Sequence, residues 1–420
     1  MNITNLQQAE EILASYRPDV KEFLGKDMTL DRMRPLMEVL GNPQDKLRII
    51  HIAGTSGKTS TSQYLAHMLR LTGSKVGLAA SPHIDSITER VQIDDLPITE
   101  REFCDKLAIF LDCIKDVQSR PSYYELLVAF AYDYFAEQSV DFAVVETGLG
   151  GLHDGTNIAQ REDKLCIITD IGYDHTKVLG ETLPEISAQK AGIIHPGNHV
   201  VMFRQGQEVM ETFRAHCDDV GATIQEVGPD LVDDFAFDSQ MPLYQRRNWT
   251  LAWSAYQRLA NVHDLPVIEG DLIGQSRQLI IPGRMEILQR QDQTLILDGA
   301  HNAQKMSAFV TSFQALYPGK QPVVLLSVRD RKDFTSLIEQ LIPLARKLIL
   351  TSFYISQDIE HQNARLDEIA QHCLDRGFQS VVIEPNQHQA FGELMAADGD
   401  IKIITGSFYL IQQIKQRELS

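Results

Sequence analysis

The sequence predicts an α/β protein in two parts: a P-loop-type parallel-sheet domain over residues 1–292, followed by a smaller Rossmann-like α/β domain over residues 293–420. Three observations carry this. Short apolar, β-branched runs alternate with amphipathic helical stretches, the pattern of parallel strands joined by crossover helices. The first such run leads into a Gly-Lys-Thr turn and then a helical stretch. After Asp292 the alternation of strand and helix starts afresh.

In the first series the expected strands are Arg48–Ala53, Val76–Ala80, Asp141–Glu146, Leu165–Asp170 and His199–Phe203. A long amphipathic helix over Tyr123–Gln138 lies between the second and third of them. A less regular section, roughly Gln205–Ile281, contains the helix-like Trp249–Leu259. The segment IPGRMEILQRQDQT (Ile281–Thr294) joins a Pro-Gly turn to polar residues, so the domain boundary is expected near its end. The second series has expected strands Thr294–Asp298, Val323–Ser327, Lys347–Thr351, Ser380–Glu384 and Ile401–Thr405, with helices Ala303–Leu316, Phe334–Arg346 and Leu366–Arg376 between them. Two α/β domains with a cleft between them are expected, and ligands usually bind in such clefts.

Bulk properties narrow the function classes. The chain has 420 residues, 43% hydrophobic and 23% charged, which suits two or three globular domains with real cores. A formal net charge of −18 disfavours a broad nucleic-acid surface, which needs clustered Lys and Arg. Cys104, Cys113, Cys166, Cys217 and Cys373 form no C-x-x-C pair and no metal-like cluster with His. The polar start MNITNLQQAEEIL is unlike a signal peptide, and no apolar run approaches the ~20 residues of a membrane span. The expectation is a soluble cytoplasmic protein without nucleic-acid or membrane partners.

The chemistry concentrates at strand ends. In IIHIAGTSGKTSTS (Ile49–Ser62) a strand runs into Gly54, Thr55, Ser56, Gly57, Lys58 and Thr59 and then a helix. Glycines let backbone amides turn toward an anion, the helix N-terminus adds positive potential, and Lys58 adds a mobile charge. Thr59 or Ser60 offers a hydroxyl to phosphate or Mg²⁺. The Walker pattern needs a glycine five residues before Gly57, where Ile52 stands, so this is a shorter loop. In DFAVVETGLGGLHDGTN (Asp141–Asn157) a strand ends in Glu146, placed where a Mg²⁺-organising acid beside a phosphate loop is expected. Asp170 ends a further strand, and Asp174-His175 follows as a metal candidate. Lys190 ends a short helix and reads as a cation favoured at a helix C-terminus. For SPHIDSITERV (Ser81–Val91), surface-loop and active-site readings of Ser81, His83 and Arg90 stand about even. In the second domain Asp298 ends a strand with His301 and Asn302 nearby, and TGSFYL places Ser407 at a similar strand end.

In order, LGNPQDKLRIIHIAGTSGKTS, SPH…ER, YYELLVAFAYDYF, VVETGLGG…DGTN, ITDIGYDHTKVLG, QKAGII, PGR, LDGAHN and TGSFYL resemble the folylpolyglutamate synthase/dihydrofolate synthase family of Mur-type ATP-dependent amide ligases. The resemblance implies a P-loop ATPase domain, ATP held at Ser56–Thr59, one Mg²⁺ at Ser81 and Glu146, and a second at His175. It implies that Lys190 is carbamylated by CO₂, turning a cation into an anion. Asn248, Arg284 and Asp298 would contact nucleotide, and His301, Ser407 and Arg90 are candidates for holding L-glutamate. Ser122, Tyr123, Tyr124 and Glu125, with His153, Asp154 and Gly155, align with the pterin-side pocket. A monomer is the family expectation. The implied reaction joins glutamate to a folate or dihydropteroate carboxylate through an acyl phosphate. An amide ligase acting on another carboxylate, such as a cell-wall precursor, and a nucleotide-gated module without turnover are the alternatives; Lys58, Glu146, His175 and Lys190 together argue against the latter. The sequence departs from the family's usual pattern at Ser56 and Thr59, at Leu152-His153, and at SVRDRKD (Ser327–Asp333).

Overall fold

The computed structural model describes residues 2–17, 29–290, 292–330, 333–353 and 363–419. Arg331 and Lys332 of SVRDRKD lie outside them. The chain divides into two compact units, Met1–Ala236 with Arg247–Leu279, and Phe237–Arg246 with Ile280–Ser420.

The first unit is built on β1 (Ile49–Ala53), β2 (Val76–Ala79), β3 (Val91–Ile93), β4 (Leu96–Pro97), β5 (Phe142–Glu146), β6 (Leu165–Ile168), β7 (His199–Phe203) and β8 (Thr223–Val227). They form one sheet in the order β4-β3-β2-β5-β1-β6-β7-β8. Its pairs from β2 to β8 are parallel, while β3 pairs antiparallel with β2 and β4. Every residue of β1 and β5 is buried, which is why these strands read as continuous apolar runs rather than alternating ones. Ile49, Ala143 and Val145 pack with Phe103, Phe110 and Phe130 from the helices Glu100–Cys113 and Tyr123–Glu137. Ala53, Ile168 and Met202 pack in another cluster with Ile186 and Phe213 from the helices Leu183–Ala191 and Gln207–Val220. The register pairs Ile52 with Glu146 and Ala53 with Ile168, so the ends of β1, β5 and β6 lie side by side.

The second unit carries β9 (Arg284–Arg290), β10 (Gln293–Asp298), β11 (Val323–Leu326), β12 (Lys347–Leu350), β13 (Val381–Ile383) and β14 (Ile401–Thr405), in the order β13-β12-β11-β14-β10-β9. All pairs are parallel except β9 with β10. Its core joins Ile296, Val324, Leu348 and Ile403 to Phe309, Phe313, Leu337 and Ile369 from flanking helices.

Central strands fall within a residue or two of the expected bounds; the differences cluster at edges and boundaries. The segment Ile281–Thr294, near whose end the boundary is expected, contains β9, whose antiparallel pairing with β10 ties it to the second sheet, and the two units part at Leu279/Ile280. The helix expected at Trp249–Leu259 runs from Leu243 to His263, and the one expected to reach Arg346 stops at Leu341. β6 ends at Ile168, two residues before Asp170, whose carbonyl instead accepts the amides of Thr55 (2.8 Å) and Ser56 (3.1 Å).

Candidate active site

The phosphate loop connects β1 to the helix Lys58–Leu71. Two of its glycines are required by both conformation and space. Gly57 caps the helix at φ 89, and a Cβ there would lie 2.5 Å from Asn248 Oδ1. Gly54 has φ 154, and a Cβ would meet Thr169 Oγ1 at 1.9 Å. Residues far along the chain therefore mould the loop. The Thr55 and Ser56 amides are committed to Asp170 O, and Thr55 Oγ1 donates to Gly172 O (3.0 Å). An anion is left to the first amides of the helix, from Gly57 onward, which have no partner within the helix.

Lys58 Nζ donates to Gly54 O (3.2 Å), and Lys190 Nζ donates to the same oxygen (2.8 Å) from 136 residues away. Lys190 is 4% exposed, so it is no solvated cation at a helix end. Burial, reinforced by the neighbouring Lys58 and opposed by Asp174 and Asp154, brings its pKa down to about 7. A substantial neutral, nucleophilic fraction therefore exists at neutral pH.

Glu146, also 4% exposed, accepts from Thr59 Oγ1 on one oxygen (2.9 Å) and from Ser81 N on the other (3.3 Å). This chooses Thr59 over Ser60, whose buried hydroxyl has no hydrogen-bond partner among the described residues. A loop hydroxyl beside a strand-end carboxylate is a set of hard oxygen donors suited to Mg²⁺. Among the described residues no group of three or more His, Cys, Asp or Glu could hold a metal. The protein thus offers a partial shell that phosphates and water would complete, the usual Mg²⁺ arrangement. His175 stands at φ 51 on its own turn, exposed, with Nε2 3.7 Å from Asp174 Oδ1.

A second group in this unit surrounds Asp154. Its carboxylate accepts from Leu149 N (2.7 Å), Thr156 N (3.0 Å), Thr156 Oγ1 (2.5 Å) and Tyr124 OH (3.3 Å). Burial raises its pKa despite these donors. Asp154 thereby fixes the glycine-rich turn after β5, with Gly155 buried and His153 exposed beside it. Ser122 and Glu125 form a reciprocal cap on the helix Tyr123–Glu137, and Arg32 pairs with Glu125 at 3.0 Å. Arg90, 4% exposed, donates to His83 Nδ1 (2.9 Å) and lies 5.4 Å over the Tyr123 ring. Burial, then Arg90, holds His83 well below the usual histidine range, so it is a neutral acceptor. Both are interior residues, which removes the surface-loop reading.

In the second unit Asp298 ends β10 at 4% exposure. It accepts from Ala300 N (2.9 Å), Met285 N (2.9 Å) and Tyr244 OH (2.7 Å). Burial lifts its pKa to about 6, against the pull of these donors and of Arg284. Arg284 lies 3.8 Å over the Phe408 ring, and His301 meets the same ring edge-on at 5.7 Å. His301 Nδ1 lies 2.8 Å from Gly299 O, which can only accept, so Nδ1 carries the proton. Lys305 Nζ then donates to Nε2 at 3.1 Å. Ser407, buried, caps the following helix by accepting from Tyr409 N (3.2 Å).

Sequence reasoning did not single out Thr169, Arg247, Tyr244, Lys305 or Phe408. Thr169 had a usable signal, since it lies next to Asp170 at the end of the expected strand Leu165–Asp170; the others become visible only through packing.

Comparison with known proteins supports the fold. Residues 52–221 match the Mur ligase middle domain, and residues 283–408 the Mur ligase glutamate ligase domain. The chain is 29% identical to the dihydrofolate synthase/folylpolyglutamate synthase of Bacillus subtilis, over 92% of this chain and 94% of that protein. It is 28% identical to the dihydrofolate synthetase of Saccharomyces cerevisiae, over 92% of this chain and 97% of that protein. A crystal structure of Mycobacterium tuberculosis folylpolyglutamate synthase complexed with ADP and AMPPCP superposes with a TM-score of 0.83 at 26% identity, covering 98% of this chain and 97% of that one.

Proposed function

The chain belongs to the folylpolyglutamate synthase/dihydrofolate synthase family and is an ATP-dependent glutamate ligase, and on that premise we propose how its own residues carry the reaction. The acceptor is a folate or dihydropteroate carboxylate, the amine is L-glutamate, and ATP supplies the phosphoryl group. The observation that carries the assignment is the meeting of Lys58 and Lys190 on Gly54 O, with Thr59, in the first turn of the helix that follows β1, joined to Glu146 at the end of the adjacent β5.

An acceptor carboxylate oxygen attacks the γ-phosphorus, the bond to the β-phosphate oxygen breaks, and ADP leaves behind an acyl phosphate. Lys58 and the helix amides offset the repulsion between carboxylate and triphosphate and hold the charge that spreads during transfer. The glutamate nitrogen then attacks the acyl carbon, the bond to phosphate breaks, and the nitrogen gives up its proton as the amide forms. Asn248, Arg284 and Asp298 are assigned to nucleotide, and His301 and Arg90 to glutamate, while Ser407 supports the second unit's turn by capping its helix. Tyr123, Tyr124 and the Asp154-organised turn face the pterin part of the acceptor, with His153 at its exposed rim.

Thr59, Glu146 and Ser81 would hold one Mg²⁺ and His175 a second; when bound, the metal screens the triphosphate and stabilises charge on the transferred phosphoryl group. Lys190, with its lowered pKa, suits carbamylation: the neutral amine adds to CO₂, loses a proton and becomes an anion. Unpaired cysteines, of which Cys113 is exposed, suit a reducing cytoplasm, where we place the enzyme as a monomer.

The test is acceptor-dependent ADP release with dihydropteroate, tetrahydrofolate and a muropeptide precursor, with product mass measured. One added glutamyl residue on a pteridine acceptor is expected. Turnover with the muropeptide alone would refute the folate assignment. Separately, full turnover in Lys190→Ala would remove the carbamate role.

A further inference from the structure

Asp170 touches the phosphate loop with its backbone and a distant arginine with its side chain. Its carbonyl takes the Thr55 and Ser56 amides at 2.8 and 3.1 Å, a bridge that lies outside the named strands. Gln205 brackets the same residue, accepting from Ile171 N (2.7 Å) and donating to Thr169 O (3.3 Å). The Asp170 carboxylate is gripped at both oxygens by Arg247, Nε at 2.9 Å from Oδ2 and Nη2 at 2.7 Å from Oδ1. The Arg247 guanidinium also lies 3.9 Å over the Phe203 ring at the end of β7. The residue after Arg247 is Asn248, whose Oδ1 backs onto Gly57 at the other end of the loop. All of these residues belong to the first unit.

Two consequences follow. A planar guanidinium fork on a carboxylate fixes orientation as well as distance, so Arg247 holds the Asp170 peptide where its carbonyl can take both loop amides. The pair also cancels charge. Without Arg247, a half-buried carboxylate would stand uncompensated on a residue that touches the loop, where it would oppose a triphosphate.

We propose that Arg247 is a positioning residue for ATP: acting through Asp170, it holds the phosphate loop in its anion-receiving shape and neutralises the carboxylate of a residue whose carbonyl is fastened to that loop's backbone. This rests on the ATP-ligase reading above and extends it to a pair that contacts no reacting atom.

The test compares full-length wild type with Arg247→Met, Arg247→Lys, Asp170→Asn and the Arg247→Met/Asp170→Asn double variant. KM for each substrate and kcat are measured, with ADP affinity by calorimetry and folding by thermal denaturation. Arg247→Met should raise KM for ATP and weaken ADP about tenfold, with kcat and the KM values for acceptor and glutamate within about twofold. Because the lost charge partner matters, the double variant should bind ADP more tightly than Arg247→Met alone. Arg247→Lys should fall between wild type and Arg247→Met, keeping the charge but not the fork. Unchanged ADP affinity in a folded Arg247→Met, an equal rise in all three KM values, or a double variant no better than the single one would overturn the proposal. If Arg247→Met does not fold, the Arg247→Lys and Asp170→Asn affinities decide in the same way. A wild type that binds ADP but shows no acceptor-dependent turnover would count against the ligase reading, while the ADP measurements would still decide the role of Arg247.

Discussion

The turn after β1 in the first unit and the turn after β10 in the second each follow a buried strand of a mostly parallel sheet, yet they are organised by opposite charges. After β1, backbone amides, Lys58 and Lys190 gather, and the loop's shape is imposed by Thr169, Asp170 and Asn248. After β10, a single buried carboxylate, Asp298, collects two backbone amides and the Tyr244 hydroxyl and stands beside the Arg284 guanidinium. Parallel-sheet geometry brings a chain reversal to the same edge in both cases, and side chains decide what each edge can hold. The first suits a polyanion. The second suits a ligand that offers hydroxyl or amine donors to a carboxylate.

The largest effect should come from taking the charge out of the first turn. Lys58→Ala is expected to lower kcat/KM by about 10²–10³-fold, the scale of removing one preorganised donor from a charge-stabilising site. A loss under about threefold would show that amides alone carry the phosphate. Next comes the shape of that turn. Gly57→Ala forces a side chain into φ 89 and against Asn248, and should cost about 1–3 kcal/mol of stability along with ATP affinity. The Gly57→Ala/Asn248→Ala pair should recover part of the stability in thermal denaturation, since only the contact, not the backbone strain, is relieved.

The second turn should respond more mildly and with a pH signature. Tyr244→Phe removes one donor from Asp298 and should cost about 1–3 kcal/mol of stability. The Asp298 pKa, lifted by burial to about 6, should rise further without that hydroxyl. An ionised Asp298 is the better acceptor, so KM for ATP should climb as pH falls through about 6. In Tyr244→Phe that climb should begin at higher pH, as a KM–pH profile would show.

The smallest effect separates two buried lysines. Lys164, 1% exposed, donates to Ala159 O (2.8 Å), and burial lowers its pKa to about 8. Between about pH 8 and the ordinary lysine range the unfolded chain binds more protons there than the folded one, so stability rises with pH. Lys164→Met should flatten that rise in denaturant titrations and leave kcat unchanged. Lys190→Met should flatten a rise that starts near pH 7 and should also lower kcat, by less than Lys58→Ala lowers kcat/KM.

Much of this was legible in the residues. The order of central strands and helices, the short phosphate loop and the strand-end acids Glu146 and Asp298 are local patterns: buried parallel strands read as apolar runs, and Gly-Lys-Thr at a helix start has one common use. β3, β4, β8 and β9 were not legible, because short or polar strands at or near a sheet edge lack the continuous apolar signal of central ones. Lys190 shows the limit most clearly. By sequence alone it is a cation at a helix end, and burial against Gly54 makes it a weak base.

The sequence by itself determined which segments become central strands, where glycines free the backbone, and that Glu146 and Asp298 stand at strand ends, since each of these depends on neighbours within a few residues. The tertiary structure alone decided that Thr59 rather than Ser60 meets Glu146, that Lys190 loses its charge readily, and that Arg247 reaches Asp170 across 77 residues. Those outcomes depend on exclusion of water and on hydrogen-bond partners brought from distant parts of the chain, and no local pattern encodes either.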